Sequence, residues 1–280
     1  MDKRKILVLG GEGFIGRNIN QTLAGQYECF SMGIKRSIFP ERKDIFLEAN
    51  PYQKKIRGSY EVFIHLIDNQ VNVADFATGE MKLVENVGIK RGAHLIIFSS
   101  AAIYANPDSD YAKRKISFEE FYLDHCRSNG INLTIFRLFN VYGLYQLPYR
   151  QGGLVANIFI NHLNGKATEI NDPKVCRDFL YASDAGKFVK YAIENNSYLA
   201  TDIGSGGLTT IKDLIDIIEN KIIKEKLKIS SENRKEYLNI SAANNKLLKN
   251  VPLTSLEVGL AETYQFYKNN LSLINKYLSL

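Results

Sequence analysis

An apolar run that breaks into a glycine loop, ILVLGGEGFIG at Ile6–Gly16, constrains this chain more than any other segment. The residues Lys5–Leu9 predict a strand, the pattern from Phe14 to Leu23 predicts a helix, and only a tight turn joins them. Gly10, Gly13 and Gly16 form GxxGxxG across that turn. Glycine lets the turn close and lets backbone N–H groups approach a pyrophosphate at the helix N-terminus. A glycine triplet alone also describes a plain strand–helix turn, so its weight comes from this strand–loop–helix context.

The same alternation continues downstream. Strands are expected at Glu28–Met32, Ile45–Leu47, Val62–Leu66, His94–Phe98 and Asn132–Arg137. Helices are expected at Phe76–Lys90, Tyr111–Ser128, Leu154–Leu163, Ala182–Glu194, Ile211–Ile223 and Leu256–Lys268. The strands are almost continuously apolar, as strands covered on both faces are. This predicts an α/β fold, a Rossmann-like doubly wound parallel sheet, with a smaller, mostly helical C-terminal substrate-binding lobe. The expected division is a dinucleotide-binding domain over 1–143, to which 177–203 returns, and a lobe formed by 144–176 and 204–280. Ligands bind at the carboxyl edge of such sheets. Thr210-x-x-Asp213 resembles a capping box with Asp in place of Glu or Gln. The tail NNLSLINKYLSL reads either as a final helix or as a fraying end.

Composition excludes several classes. The 280 residues are 45% hydrophobic and 24% charged, and a chain of this length buries a large core without staples. The net charge of +6 is spread along the chain, with no long basic run and no aromatic ladder, so no nucleic-acid partner is expected. No stretch approaches the roughly 20 apolar residues of a membrane span. The first apolar run stops at Gly10, too early for a signal h-region, and a cytoplasmic location is expected. Cys29, Cys126 and Cys176 are odd in number and lack CxxC spacing, which argues against a disulfide framework. The four histidines form no HxH or HxxxH pair, and no metal site is expected. His65, inside VFIHLI, reads as a satisfied strand histidine.

Two further groups bear on chemistry. NAD-preferring folds carry an acid at the end of the second strand, about 20 residues past the loop, that bonds the ribose 2′-OH. Here Gly33 takes that place, with Lys35 and Arg36 following and no acid nearby in FSMGIKRS. Basic groups there hold a 2′-phosphate, so NADP(H) is the expected cofactor and NAD(H) the alternative. A solvated loop with two chance charges explains the same residues. The second group is Tyr111-x-x-x-Lys115, whose side chains share one helix face. A phenol titrates near 10, too high for a base at neutral pH, and a neighbouring ammonium favours the phenolate. A serine hydroxyl at the end of the preceding strand, IIFSS at Ile96–Ser100, holds a substrate oxygen beside the phenol, with Ser100 preferred over Ser99. YxxxK alone is common on helices; the strand–SS–loop–helix setting gives it meaning.

With these residues in place, the chain resembles the extended short-chain dehydrogenase/reductases, the NAD-dependent epimerase/dehydratase group acting on nucleotide sugars. The resemblance rests on GGEGFIG, VFIHL, FSSAAIY, YAKRK, RLFNVYG, RDFLYASDAG and DIGSGGLTTI, in that order. It implies that Gly10, Gly13 and Gly16 hold the cofactor pyrophosphate with backbone help from Phe14 and Ile15, and that Leu66 borders the cofactor. It implies that Tyr111 is the acid/base, Lys115 its tuner and a ribose ligand, and Ser100 the substrate-oxygen donor. Asn140 would touch the sugar diphosphate, and Arg177 would pair with a diphosphate oxygen, a suitable task for a guanidinium fork. Arg137, which ends a strand, reads as structural, and Asp184 reads as a cap on the helix Ala182–Glu194.

Departures from the family pattern matter. The group's dehydratases carry an Asp-Glu pair where this chain has Ala101 and Ala102, so water elimination lacks its acid and base. The loop Tyr104–Tyr111 is short, and Ile67-Asp68 replaces a small pair. The resemblance therefore implies a nucleotide-sugar ketoreductase using NADPH. The alternative is an NAD-dependent 4-epimerase. A non-catalytic dinucleotide sensor is a third class, disfavoured by the intact Ser/Tyr/Lys set. The family often dimerises through a four-helix bundle, here Phe76–Lys90 and Tyr111–Ser128, which makes a homodimer an expectation.

Overall fold

The computed structural model describes residues 3–41, 43–68, 73–149, 153–196, 200–230 and 243–279. The chain begins β1 (Lys5–Leu9), α1 (Phe14–Leu23), β2 (Glu28–Gly33), β3 (Ile45–Glu48), β4 (Val62–His65), α2 (Val73–Val87) and β5 (His94–Ser100). It continues α3 (Ala102–Ala105), α4 (Asp110–Asn129), β6 (Asn132–Leu138), β7 (Asn140–Tyr142), α5 (Leu154–Leu163), β8 (Thr168–Glu169), β9 (Cys176–Arg177), β10 (Phe179–Tyr181), α6 (Ala182–Glu194) and β11 (Ala200–Ile203). Last come β12 (Thr209–Thr210), α7 (Ile211–Ile217) with a wide helical turn at Ile218–Ile223, β13 (Ile229–Ser230), α8 (Leu256–Asn269) and α9 (Leu271–Leu278).

Among the described residues, seven parallel strands form the central sheet in the order β11-β6-β5-β4-β1-β2-β3. The doubly wound α/β fold expected from the apolar runs is present, and β1 shows why those runs are continuous. Ile6 and Val8 pack with Ile19 and Leu23 of α1 and Phe188 and Val189 of α6 on one face. Leu7 and Leu9 pack with Leu83 of α2 and Phe118 and Tyr122 of α4 on the other. Both faces are covered, so every position must be apolar. Burial of each such side chain contributes about 1.5–3 kcal/mol.

Strand order reverses beside β1: β2 and β3 lie to one side, β4 and β5 to the other. Ligand crevices open at the carboxyl ends of the strands where such a reversal occurs. The loop after β1 and the loop after β4 meet there; the Leu66 N–H donates to Leu9 O at 3.0 Å, and the Gly10 N–H to Met32 O at 2.9 Å. A third apolar core lies beyond the sheet, where Phe159 of α5, Leu214 of α7 and Leu260 and Tyr267 of α8 pack against Tyr142 and Tyr181. Part of the expected lobe, 231–242, lies outside the described residues. No helix among the described residues is long and apolar enough to cross a membrane.

Several elements differ from the sequence reading. β11 is not among the expected strands, because Thr201 and Asp202 interrupt its apolar pattern; pairing with β6 at the sheet edge forms it nonetheless. The expected helix Ile211–Ile223 keeps α-helical geometry only to Ile217. The tail is helical, anchored by the fully buried Ile274. Thr210 does cap α7: its Oγ1 accepts the Asp213 N–H at 2.9 Å and donates to Asp213 Oδ2 at 2.6 Å. Asp184 does not cap α6. Its carboxylate instead accepts the Thr254 N–H and hydroxyl, both at 2.9 Å, and pairs with Lys187 at 2.6 Å. It ties α6 to the segment that leads into α8.

Candidate active site

The glycine loop is shaped for a phosphate. Gly10 has a φ of +81°, which an L side chain rarely adopts. A Cβ on Gly16 would stand 2.6 Å from both Gly10 O and Gly11 Cα, so only glycine lets α1 start this close to the loop. The N-cap of α1 is Gly13 and provides no side-chain acceptor. The first-turn N–H groups of Phe14, Ile15 and Gly16 therefore lack an intrahelical partner, and the helix dipole adds positive potential. They border a cavity of about 470 Å³ that Gly10, Leu66, Ser99, Ser100, Tyr111, Lys115 and Asn140 also line. The hydroxyl of Ser99 is buried in that wall with no hydrogen-bond partner in the structure. A buried hydroxyl without a partner is uncommon in folded proteins. The glycine cradle fits the pyrophosphate of a dinucleotide.

α4 presents the phenol and the ammonium. Ser109 caps the helix, its Oγ accepting the Ala112 N–H at 3.2 Å. Tyr111 falls in the first turn and Lys115 one turn on. Lys115 Nζ lies 5.6 Å from the centre of the Tyr111 ring and 3.3 Å from Asp68 Oδ1. Ser100 ends β5, and its Oγ accepts the Ala102 N–H at 3.2 Å, which leaves its proton available to a substrate oxygen. Ala101 is buried against Phe139 and Ala243, so that position supplies no carboxylate.

A buried network fixes the loop that carries Leu66 and Asp68. His65 Nδ1 accepts the Ile67 N–H at 3.2 Å, so the tautomer places the proton on Nε2, which donates to Glu80 at 2.9 Å. Tyr122 and Tyr52 donate to the same carboxylate at 2.7 and 2.9 Å. Burial pushes the Glu80 carboxyl up, but the His65 contact and the two phenols outweigh it and hold it below the usual carboxylate value. His65 is the satisfied strand histidine expected from VFIHLI.

Asn140 and Val141 form a wall shared with a second cavity of about 450 Å³, where Arg177 stands with Glu169, Asn171 and Asp172. One Arg177 Nη1 N–H donates to Cys176 O at 3.1 Å. Arg137 is engaged elsewhere: it grips Glu119 at 2.6 Å and donates to the Tyr104 hydroxyl at 2.9 Å.

A third cavity, of about 550 Å³, opens at the end of β2 and shares Gly13, Phe14 and Gln146 with the first. Lys35 and Arg36 line it, both exposed, with the Arg36 guanidinium 5.2 Å from the centre of the Phe46 ring. The sequence reading finds no acid near Gly33, and this is corrected: Glu12 Cγ lies 3.7 Å from where a Gly33 Cβ would stand. That reading follows β2, whereas Glu12 arrives from the glycine loop folded over it. The available signal is that Glu12 is the one charged residue inside Gly10–Gly16.

Comparison with known proteins agrees with this architecture. Residues 68–204 match the model of the NAD dependent epimerase/dehydratase family. A Methanocaldococcus jannaschii protein that carries the provisional name UDP-glucose 4-epimerase is 28% identical, over 95% of this chain and 99% of its own. Among solved structures, the UDP-N-acetylglucosamine 4-epimerase of Methanobrevibacter ruminantium M1, in complex with UDP-N-acetylmuramic acid, superposes with a TM-score of 0.79. It is 21% identical, over 96% of this chain and 100% of its own. The UDP-glucose 4-epimerase of Thermus thermophilus, in complex with NAD, superposes with a TM-score of 0.75 at 19% identity, over 94% of this chain and 99% of its own. Over residues 68–204 the chain is thus similar to the NAD dependent epimerase/dehydratase family, and over nearly its whole length to a protein named as a UDP-glucose 4-epimerase.

Proposed function

We propose that this protein is a nucleotide-sugar 4-epimerase that keeps NAD(H) bound while it inverts one carbinol carbon of its substrate. The observation that carries this reading is that two adjacent cavities share the wall formed by Asn140 and Val141. The first gathers the glycine cradle, Ser100, Tyr111 and Lys115; the second is polar and contains Arg177. A nucleoside diphosphate in the second cavity would extend its sugar into the first. In this reading Ser100 donates to the reacting sugar oxygen, and Tyr111 takes the hydroxyl proton and returns it. Lys115 places a positive charge beside that phenol. Asn140 and Arg177 hold the diphosphate. The glycine-loop N–H groups, Leu66 and Ser99 hold the cofactor, whose nicotinamide supplies the hydride acceptor and donor. The curated relatives, which include 4-epimerases, support this choice over reduction, and the alanines at 101 and 102 stand against dehydration.

A net ketoreductase that prefers NADP(H) is the second reading. Its support is the pair Lys35 and Arg36 on the cavity at the end of β2. The two readings separate in one experiment: incubation with UDP-glucose, UDP-galactose, UDP-N-acetylglucosamine and UDP-glucuronate, followed by chromatographic separation of the epimers. The epimerase reading expects interconversion of one pair with no stoichiometric oxidation of NADH or NADPH. Net NADPH consumption with a keto sugar, and no interconversion, would replace it with the ketoreductase. The same proposal includes a homodimer through α2 and α4, where Met81 and Leu123 are exposed; light scattering tests it.

A further inference from the structure

We propose that Glu12 reads the adenosine ribose of the cofactor and selects NAD(H) against NADP(H). The inference rests on the reading above only for the class of cofactor.

The position comes first. Cβ and Cγ of Glu12 lie 3.8 and 3.7 Å from the point where a Cβ on Gly33 would stand. Folds of this type project an acid toward the ribose hydroxyls from the end of β2. Gly33 cannot, but Glu12 lines the same cavity from the glycine loop, its side chain within van der Waals reach of the place a Gly33 Cβ would take.

The carboxylate is also held in place. Its Oε2 accepts the Ser37 N–H at 2.7 Å, and Arg17 Nη1 stands 3.9 Å away. The Glu12 side chain is only 7% exposed. A carboxylate has about four acceptor sites and no donor. The 2′- and 3′-hydroxyls of an unphosphorylated ribose donate to it. A 2′-phosphate offers no such proton and meets a like charge that bulk water hardly screens.

The cations nearby do not reverse this preference. Lys35 and Arg36 are exposed, and the attraction of exposed charges is screened within roughly 10 Å at ordinary salt. Arg17, 3.9 Å from the Glu12 carboxylate, offsets part of its charge; it is buried under the Tyr145 ring, 4.6 Å from its centre, and donates to Glu41 O. The selectivity then rests on the acceptor: the carboxylate takes ribose hydroxyl protons, and a 2′-phosphate offers none.

Titration calorimetry of the full chain with NAD+ and with NADP+ tests the assignment, for the wild type and for Glu12→Gln and Glu12→Ala. A hydrogen bond to a charged group corresponds to ~10-fold or more in affinity. The wild type is expected to bind NAD+ at least ~10-fold more tightly than NADP+, and Glu12→Gln to reduce that ratio at least ~10-fold. Glu12→Gln keeps the side-chain shape and an acceptor for Ser37, so it is the variant expected to fold unchanged, which a thermal melt verifies. A packing role would weaken both dinucleotides in parallel and leave the ratio intact. An unchanged ratio, a wild-type preference for NADP+, or failure of both to bind overturns the assignment. No sugar enters this titration. A selective NAD+ binder that epimerises nothing would refute the epimerase reading and leave Glu12 standing, and an active epimerase with an unresponsive ratio would do the reverse.

Discussion

The carboxylate of Asp68 stands 3.3 Å from the ammonium of Lys115, on the wall of the cavity that also contains Tyr111. Asp68 follows β4 and Lys115 lies in the second turn of α4, so the ion pair spans the crevice between the loop and the helix. The lysine assigned to the cofactor ribose thus has a competing partner. Asp68 is 38% exposed, and partly exposed pairs contribute about 0–1 kcal/mol. Asp68→Asn is therefore expected to tighten NAD+ binding by up to ~5-fold while kcat changes less than ~3-fold. Calorimetry and steady-state rates check this; a large fall in cofactor affinity would mean that the carboxylate itself holds the cofactor.

Tyr111→Phe removes the phenolic hydroxyl and keeps the ring. General acid–base catalysis typically contributes ~10²–10⁴-fold, and kcat is expected to fall by that factor. Cofactor affinity should stay within a few-fold. Stopped-flow or discontinuous rate measurements decide it, and a near-normal kcat would remove Tyr111 from the chemistry. Lys115→Met is expected to harm both turnover and cofactor binding.

Arg177 is assigned to the diphosphate, away from the reacting carbon. Interactions that bind ground state and transition state alike act on KM rather than kcat. Losing one charge-assisted hydrogen bond costs about 1.5–3 kcal/mol, so Arg177→Ala should raise KM for the nucleotide sugar by ~10–100-fold. A collapsed kcat with unchanged KM would place the guanidinium at the chemistry instead.

Much of this is legible in the sequence because the strongest signals are local. The β1–loop–α1 unit needs only a buried strand and three glycines, and the face shared by Tyr111 and Lys115 follows from helical spacing. What escapes is tertiary. Glu12 and Gly33 are far apart in the chain and meet only because the loop folds over the end of β2. Asp68 reads as a departure from pattern, and its pairing with Lys115 depends on the approach of β4 to α4. Asp184 reads as a cap on the nearest helix end, yet its partner Thr254 is 70 residues away. β11 carries too few apolar residues to announce itself, and the edge of a formed sheet supplies what its composition lacks.

His94, at the start of β5, gives the fold a pH dependence. It is 2% exposed, with Nε2 2.8 Å from Thr134 Oγ1. Burial, and then the charge of Arg4, push it down to about 4. The unfolded chain binds this proton near 6.5. The fold therefore keeps the full contribution above about pH 6.5 and loses it as pH falls toward about 4, on the order of 3 kcal/mol in all. Urea midpoints of the wild type and His94→Gln between about pH 7 and pH 4.5 test this window. The difference between the two proteins should narrow or reverse as pH falls; a pH-independent difference would contradict it.

The central claim is a closed redox cycle at one sugar carbon, and deuterium retention tests it most directly. UDP-glucose labelled with deuterium at C4 is incubated with the protein and NAD+ in ordinary water, and the product is examined by NMR and mass spectrometry. The epimerase account predicts UDP-galactose with the label still on C4 and no accumulation of reduced cofactor. The same expectation applies to whichever nucleotide sugar the protein is found to interconvert. An epimer that has lost its label to water, or label recovered in free reduced cofactor with a keto sugar as product, would contradict it.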